Sequence, residues 1–231
     1  MDDLRALLIE RGAALVGWAD LAALPPDVRA GLPRGVAIAV ALDRTIVRAI
    51  GGGPTKEYFA EYVRVNGLLD DLAAAAAAWL QARGHRAEAR AATLARLDPQ
   101  ALRTPLPHKT VATRAGLGWV GKCALLVTEA FGSAVRLATV LTGAPLAVGR
   151  PVDESRCGAC AACVEVCPDG APSGREWHAG MAREELFDAA ACYAAARRMC
   201  REAGIGGMVC GMCIAACPWT QGYLGRAAAP P

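Results

Sequence analysis

The sequence predicts an α/β domain followed by a small cysteine-rich module that holds metal. Two observations carry this. Helix-like and strand-like patterns alternate through residues 1–150, as they do where helices pack on a sheet. Nine of the ten cysteines fall between residues 151 and 217, with Cys123 alone before them. The boundary is expected in the Gly/Pro-rich stretch "GAPLAVGRP". That places an α/β domain over 1–150, a cysteine module over 151–222 and a disordered tail over 223–231.

Leu4, Leu7 and Leu8 share one face of a short helix, and Ala13 to Val16 begin a strand. "GVAIAVAL" (Gly35 to Leu42) is an unbroken apolar run of strand length. A long helix follows: Thr55 can cap its start, Tyr58, Tyr62, Leu68, Leu72 and Leu80 fall at helical spacing, and Gly84 suits its end. Gly67 weakens that helix slightly. "HKTVATRA" is polar and helical, whereas "CALLV" and "SAVRLATVL" predict two further strands. Beyond residue 151 the pattern is of short helices and loops around cysteines.

Composition narrows the function. The net charge of +3 is small and no run of Lys or Arg tracks a phosphate backbone, so neither DNA nor RNA is an expected partner. The acidic, amphipathic "MDDLRALLIERG" is neither a signal nor a transit peptide, and the apolar run from Leu72 to Leu80 is too short to span a bilayer. These features predict a soluble, cytoplasmic protein. In that compartment thiols stay reduced, so ten cysteines point to metal ligation rather than disulfides.

The spacing says which metal. "CGACAACVEVCP" (Cys157 to Pro168) reads C-x2-C-x2-C-x3-C-P, and "CGMCIAACP" (Cys210 to Pro218) repeats its second half one cysteine short. Three cysteines at two-residue intervals can curl around one inorganic core, while the fourth, before proline, reaches a second core. Cys157, Cys160, Cys163 and Cys217 are thus expected on one [4Fe–4S] cluster. Cys167, Cys210 and Cys213 take the other, with Cys192 or Cys200 completing it. The small residues between ligands let backbone N–H groups approach the sulfurs. Structural zinc is the competing reading, but it favours separated C-x2-C pairs closing one tetrahedron. Cys123, in "KCALLV", is expected as a small buried hydrophobe.

"GLGWVG" (Gly116 to Gly121) matches a dinucleotide fingerprint only literally. A helix precedes it, a strand follows it, and no acid lies between Glu129 and Asp153, so a Rossmann site is not expected.

The stretch from His108 to Thr142, with its "RAGLGWVGK" (Arg114 to Lys122), followed by the two cysteine motifs, resembles the epoxyqueuosine reductase family and its shorter relatives. The resemblance covers residues 100–220 well and the N-terminal part loosely. It implies a modified nitroreductase-like α/β domain that binds cobalamin, joined to a ferredoxin-like module with two [4Fe–4S] clusters. It also implies that Cys192, in "DAAAC", is the eighth ligand. Arg114, Gly116, Gly118, Trp119 and Lys122 would then lie in the cobalamin region.

Two departures bear on activity. By the family's spacing the catalytic acid falls on Leu102, with Asp98 out of register, which leaves His108 as the candidate proton donor. An ordinary hydrogen-bonded histidine is the competing role. The family's tRNA-binding C-terminal region has no counterpart here, so a tRNA substrate is not favoured. The implied chemistry is reductive, with electrons passing through two clusters to cobalamin and on to an unassigned substrate. A redox protein, reduced flavin or ferredoxin would supply the electrons. The alternative is an electron-transfer protein serving a corrinoid partner.

Overall fold

The computed structural model describes residues 1–93 and 102–225. Asp98 and residues 226–231 lie outside them. The chain forms two compact units that interleave along the sequence. The first comprises Met1–Ala41, Val63–Trp119 and Arg136–Asp153. The second comprises Leu42–Tyr62, Val120–Val135 and the described residues from Glu154 onward.

The first unit is built on a four-stranded sheet. Helix α1 (Asp2–Glu10) buries Leu4 and Leu8 and leads into β1 (Leu15–Asp20). β1 pairs antiparallel with β2 (Arg34–Ala41), with Leu15 opposite Ala39 and Asp20 opposite Arg34. At the other side β3 (Ala87–Arg90) pairs antiparallel with β6 (Val135–Thr142), giving the order β1-β2-β6-β3. β2 is buried at every interior position, as its unbroken apolar run requires. Helix α4 (His108–Arg114) packs on β1 and β2. It can approach closely because Gly17 and Gly35 lack side chains. A Cβ on Gly17 would lie 2.8 Å from Leu117, and one on Gly35 would lie 2.8 Å from Val111.

Helix α3 (Lys56–Gln81) runs unbroken through Gly67. Thr55 caps it as expected, its Oγ1 accepting from the Tyr58 N–H at 3.1 Å. Gly84, at φ +79°, closes the turn after it. The helix buries Leu69, Leu72, Ala76 and Leu80 in the first unit, and its first turns belong to the second.

The second unit gathers short helices: α2 (Arg44–Ala49), α5 (Ala162–Glu165), α6 (Arg183–Leu186), α7 (Ala189–Glu202), α8 (Met212–Ala216) and α9 (Pro218–Gly225). Its core draws Val47, Ile50 and Tyr58 from the N-terminal half of the chain. A Cβ on Gly211 would lie 2.5 Å from Ile50 and 3.0 Å from Tyr58, so α8 begins directly on that apolar base. This is where the structure departs from a single cut at residue 150. A cysteine-rich segment of this size has too few apolar residues to bury a core alone, so it takes them from elsewhere in the chain.

Two other expectations change. "CALLV" is not a five-residue strand: Ala124 has φ +59° and Gly121 N–H donates to Leu125 O at 2.9 Å. The segment turns between the two-residue strands β4 (Trp119–Val120) and β5 (Leu126–Val127). Tyr223 and Leu224, expected in a disordered tail, are buried in α9, and the Tyr223 hydroxyl donates to Leu42 O at 3.0 Å. Among the described residues, no helix is long and apolar enough to cross a membrane.

Candidate metal centres

Cys157, Cys160 and Cys163 sit on a tight turn running into α5, with Gly158 at φ +56° and Cys160 N–H donating to Cys157 O at 3.2 Å. Cys217 caps the end of α8, immediately before the proline that opens α9. Despite their separation in sequence, these four cysteines line one cavity of about 190 Å³. Lys122 lies at its wall, buried, with Nζ donating to Gly158 O at 2.7 Å and Cys160 O at 3.1 Å. It therefore fastens the cysteine loop and sets a positive charge beside the thiols. Cys123 shares the cavity, and its thiol hydrogen-bonds to Cys163. That bond, aided by the Lys122 charge, favours the thiolate at Cys163, while Cys123 stays a thiol.

Cys167 follows α5, and its sulfur accepts the Ala171 N–H at 3.3 Å. Cys192 stands in the first turn of α7, whose start Asp188 caps by accepting from Ala190 N–H and Ala191 N–H, both at 2.9 Å. Cys210 and Cys213 flank the left-handed Gly211 at the start of α8. Cys192, Cys210 and Cys213 feel their neighbours. Burial pushes Cys192 up to about 11, with the charges of Cys210 and Cys167 adding to the rise. Burial and then Cys192, Cys210, Cys163 and Cys167 push Cys213 higher still. Four thiolates gathered here, each only partly exposed, would need cationic compensation, which metal supplies. Arg198 on α7 clamps Asp169, beside Cys167, through two bonds of 2.9 and 2.7 Å.

Cys200 is placed differently. It is fully buried in the last turns of α7, donates to Val209 O at 3.1 Å and accepts from Val209 N–H at 3.4 Å. It holds the chain just before Cys210. Among the described residues, no three or more His, Cys, Asp or Glu side chains converge tightly enough to hold a single metal ion.

The residues expected around cobalamin have structural partners in this fold. Arg114 donates to Val152 O at 2.7 Å and pairs with Asp153. Gly116, at φ +76°, ends α4, and a Cβ there would lie 2.6 Å from Arg150 O. Gly118 and Trp119 are buried, and Lys122 is engaged by the cysteine loop. Glu129, weighed as a local partner for Arg114 or Lys122, pairs with Arg156 at 2.6 Å.

His108 lines a cavity of about 470 Å³ in the first unit, with Asp27, Thr104, Leu106 and Thr139 among its walls. That volume is within the range of small-molecule pockets. Both ring nitrogens are occupied: Nε2 lies 2.9 Å from Ala91 O and Nδ1 lies 2.9 Å from Thr139 Oγ1. A carbonyl can only accept, so Nε2 carries the proton and Nδ1 accepts from the threonine. Burial lowers the pKa of His108 below its usual 6.5. The unfolded histidine gains its proton near pH 6.5 and the folded one only lower. Its contribution to stability is thus complete above that pH and is lost as pH falls through the folded value. His108→Gln, which cannot titrate, should show a shallower loss of urea stability than the native chain between pH 7 and 5.5. Equal slopes would show that His108 does not carry this dependence.

A 4Fe-4S binding domain model matches residues 150–173. The epoxyqueuosine reductase of Escherichia coli K12 is 43% identical over 67 residues, and that of Bacillus cereus 41% over 66. Each match takes in 29% of this chain and 17% of the relative, so the chain spans about a sixth of those proteins' length. The Cyclobacterium marinum epoxyqueuosine reductase is 30% identical over 126 residues, which is 51% of this chain and 38% of that one. A catabolic reductive dehalogenase structure superposes with a TM-score of 0.72 at 20% identity, over 94% of this chain and 31% of the other. Epoxyqueuosine reductase from Streptococcus thermophilus gives 0.61 at 16%, over 99% of this chain and 68% of the other. The chain has a mixed α/β fold resembling that of these reductive dehalogenase and epoxyqueuosine reductase structures. Within this reductase-like fold, the 4Fe-4S binding domain match contains Cys157, Cys160, Cys163 and Cys167.

Sequence reasoning missed two features of these sites. Cys123 faces the first cavity, and its adjacency to Lys122 was the available signal. Thr139 holds His108 from β6, a pairing across distant sequence that no local pattern displays.

Proposed function

We propose that this chain is an iron–sulfur oxidoreductase similar to epoxyqueuosine reductase, holding two [4Fe–4S] clusters and passing electrons to a bound cobalamin for a reductive reaction. Cys157, Cys160, Cys163 and Cys217 hold the first cluster, and Cys167, Cys192, Cys210 and Cys213 hold the second. The observation that carries the reading is the cavity of about 190 Å³ lined by four cysteines from two distant motifs. A zinc ion would draw its sulfurs to about 2.3 Å from one point, whereas thiols spaced around such a cavity suit a polynuclear core.

When bound, the clusters supply one-electron transfer at low potential. The chain's own residues do the rest. Lys122 fixes the loop and offsets thiolate charge, and the burial of Cys163 and Cys217 keeps water from the first site. The cobalamin part rests on the likeness of fold. Arg114 and Lys122 of "RAGLGWVGK" are engaged within the chain.

A second reading is an electron-transfer protein that serves a corrinoid partner without a substrate of its own. It is favoured by Leu102 at the expected acid position and by the committed, deprotonation-favoured His108. A reduced protein or flavin supplies electrons in either case. A reducing, cytoplasmic setting would keep the ten cysteines available to metal. Protein purified anaerobically should be brown and carry about eight irons per chain. Titration with hydroxocobalamin then separates the readings. A spectral change on mixing supports the bound corrin, and an unchanged spectrum leaves the electron carrier.

A further inference from the structure

The first cavity is lined by five cysteines: Cys123 in addition to Cys157, Cys160, Cys163 and Cys217. A cubane takes four thiolates, so one sulfur is left over. Cys123 is buried on the turn that carries Lys122. A Cβ on Gly121 would lie 3.4 Å from the Cys123 sulfur and 3.5 Å from the Cys157 sulfur, so the extra thiol stands at the edge of the ligand set. Cys123 accepts a hydrogen bond from the Leu125 backbone and is hydrogen-bonded to Cys163. A cysteine ligating iron is a thiolate and has no proton to give. In the loaded protein the S–H of that pair therefore belongs to Cys123.

We propose that Cys123 is a positioning residue of the first cluster: its thiol donates a hydrogen bond to the Cys163 sulfur and raises the reduction potential of that cluster. The physical cause is that a donor at a ligand sulfur stabilises the added negative charge of the reduced cluster. A merely space-filling cysteine would be as deeply buried but would leave the potential unchanged.

The inference rests on the clusters being present, so iron content is measured first. The native protein, Cys123→Ala and Cys123→Ser are then loaded anaerobically and titrated against potential by EPR. All three should carry equal iron. One of the two midpoint potentials should fall in Cys123→Ala and return to or above the native value in Cys123→Ser, whose hydroxyl restores a donor. Cys123→Val, which fills the site without donating, takes the place of the alanine variant if that one folds poorly. Unmoved midpoints in loaded Cys123→Ala or Cys123→Val overturn the inference alone. Loss of about half the iron in those variants also overturns it, because Cys123 would then be a ligand. A native protein that binds no iron overturns the proposed function and this inference with it.

Discussion

Replacing Cys192 with serine should remove about half of the bound iron, leaving about four per chain. Cys200→Ser should keep about eight. The two residues share helix α7 and were equal candidates on spacing alone. Their surroundings differ. Cys192 lies within electrostatic reach of Cys210 and Cys167, and partial desolvation holds its proton until metal takes its place. Cys200 already spends its sulfur on the Val209 backbone, as donor and as acceptor. Serine there can replace the donor bond, so the cost is expected in stability, on the order of 1 kcal/mol. Iron and acid-labile sulfide assays on anaerobically reconstituted protein check this directly. Loss of a cluster in Cys200→Ser, with eight irons in Cys192→Ser, would reverse the assignment.

The largest effect outside the cysteines is expected at Gly132. Its φ is +56°, and a Cβ there would lie 2.1 Å from Thr220 N and 2.5 Å from Thr220 Cα. Neither neighbour can move alone. The Gly132 loop is closed by reciprocal 2.9 Å bonds with Thr128, and Ser133 N–H donates to Thr220 Oγ1 at 3.1 Å. The Phe131 ring meets Tyr223 edge-on, with centroids 5.2 Å apart. Gly132→Ala therefore combines a left-handed penalty with a backbone clash, and should cost on the order of 3 kcal/mol. Because Thr220 closely follows Cys217, the variant should also load the first cluster poorly. Gly170→Ala is the control: φ there is +61°, but its Cβ would meet nothing within 4 Å. It should cost about 1 kcal/mol. Denaturant unfolding distinguishes the two, and equal losses would show that the contact with Thr220 yields easily.

What could be read from the sequence follows from the range over which each cause acts. The turn at Cys157 to Cys163 and the caps at Thr55 and Asp188 are set by neighbours in the chain, and a pattern of residue types displays them. β2 and β6 were legible as long apolar runs. β3, "AEAR", was not: four residues of low strand propensity become a strand only because β6 offers them a partner. "CALLV" misled because an apolar run reads alike in a strand and in a buried turn, and only the positive φ of Ala124 separates them. The apolar base under α8 was also invisible. Ile50 and Tyr58 look like ordinary core residues until the fold brings Gly211 onto them.

The placement of Cys217 beside Cys157 to Cys163 has a consequence for biosynthesis. A ribosome exposes the first three thiols of that site well before it has made α6, α7 and α8, which precede the fourth. Cys167, synthesised next, waits on the same later segments for Cys192, Cys210 and Cys213. A nascent chain thus offers only partial thiol sets, open to oxidation or to capture of stray metal. On the proposed two-cluster reading, delivery of iron and sulfide should follow translation of residue 217, with both sites filled in one stage of maturation.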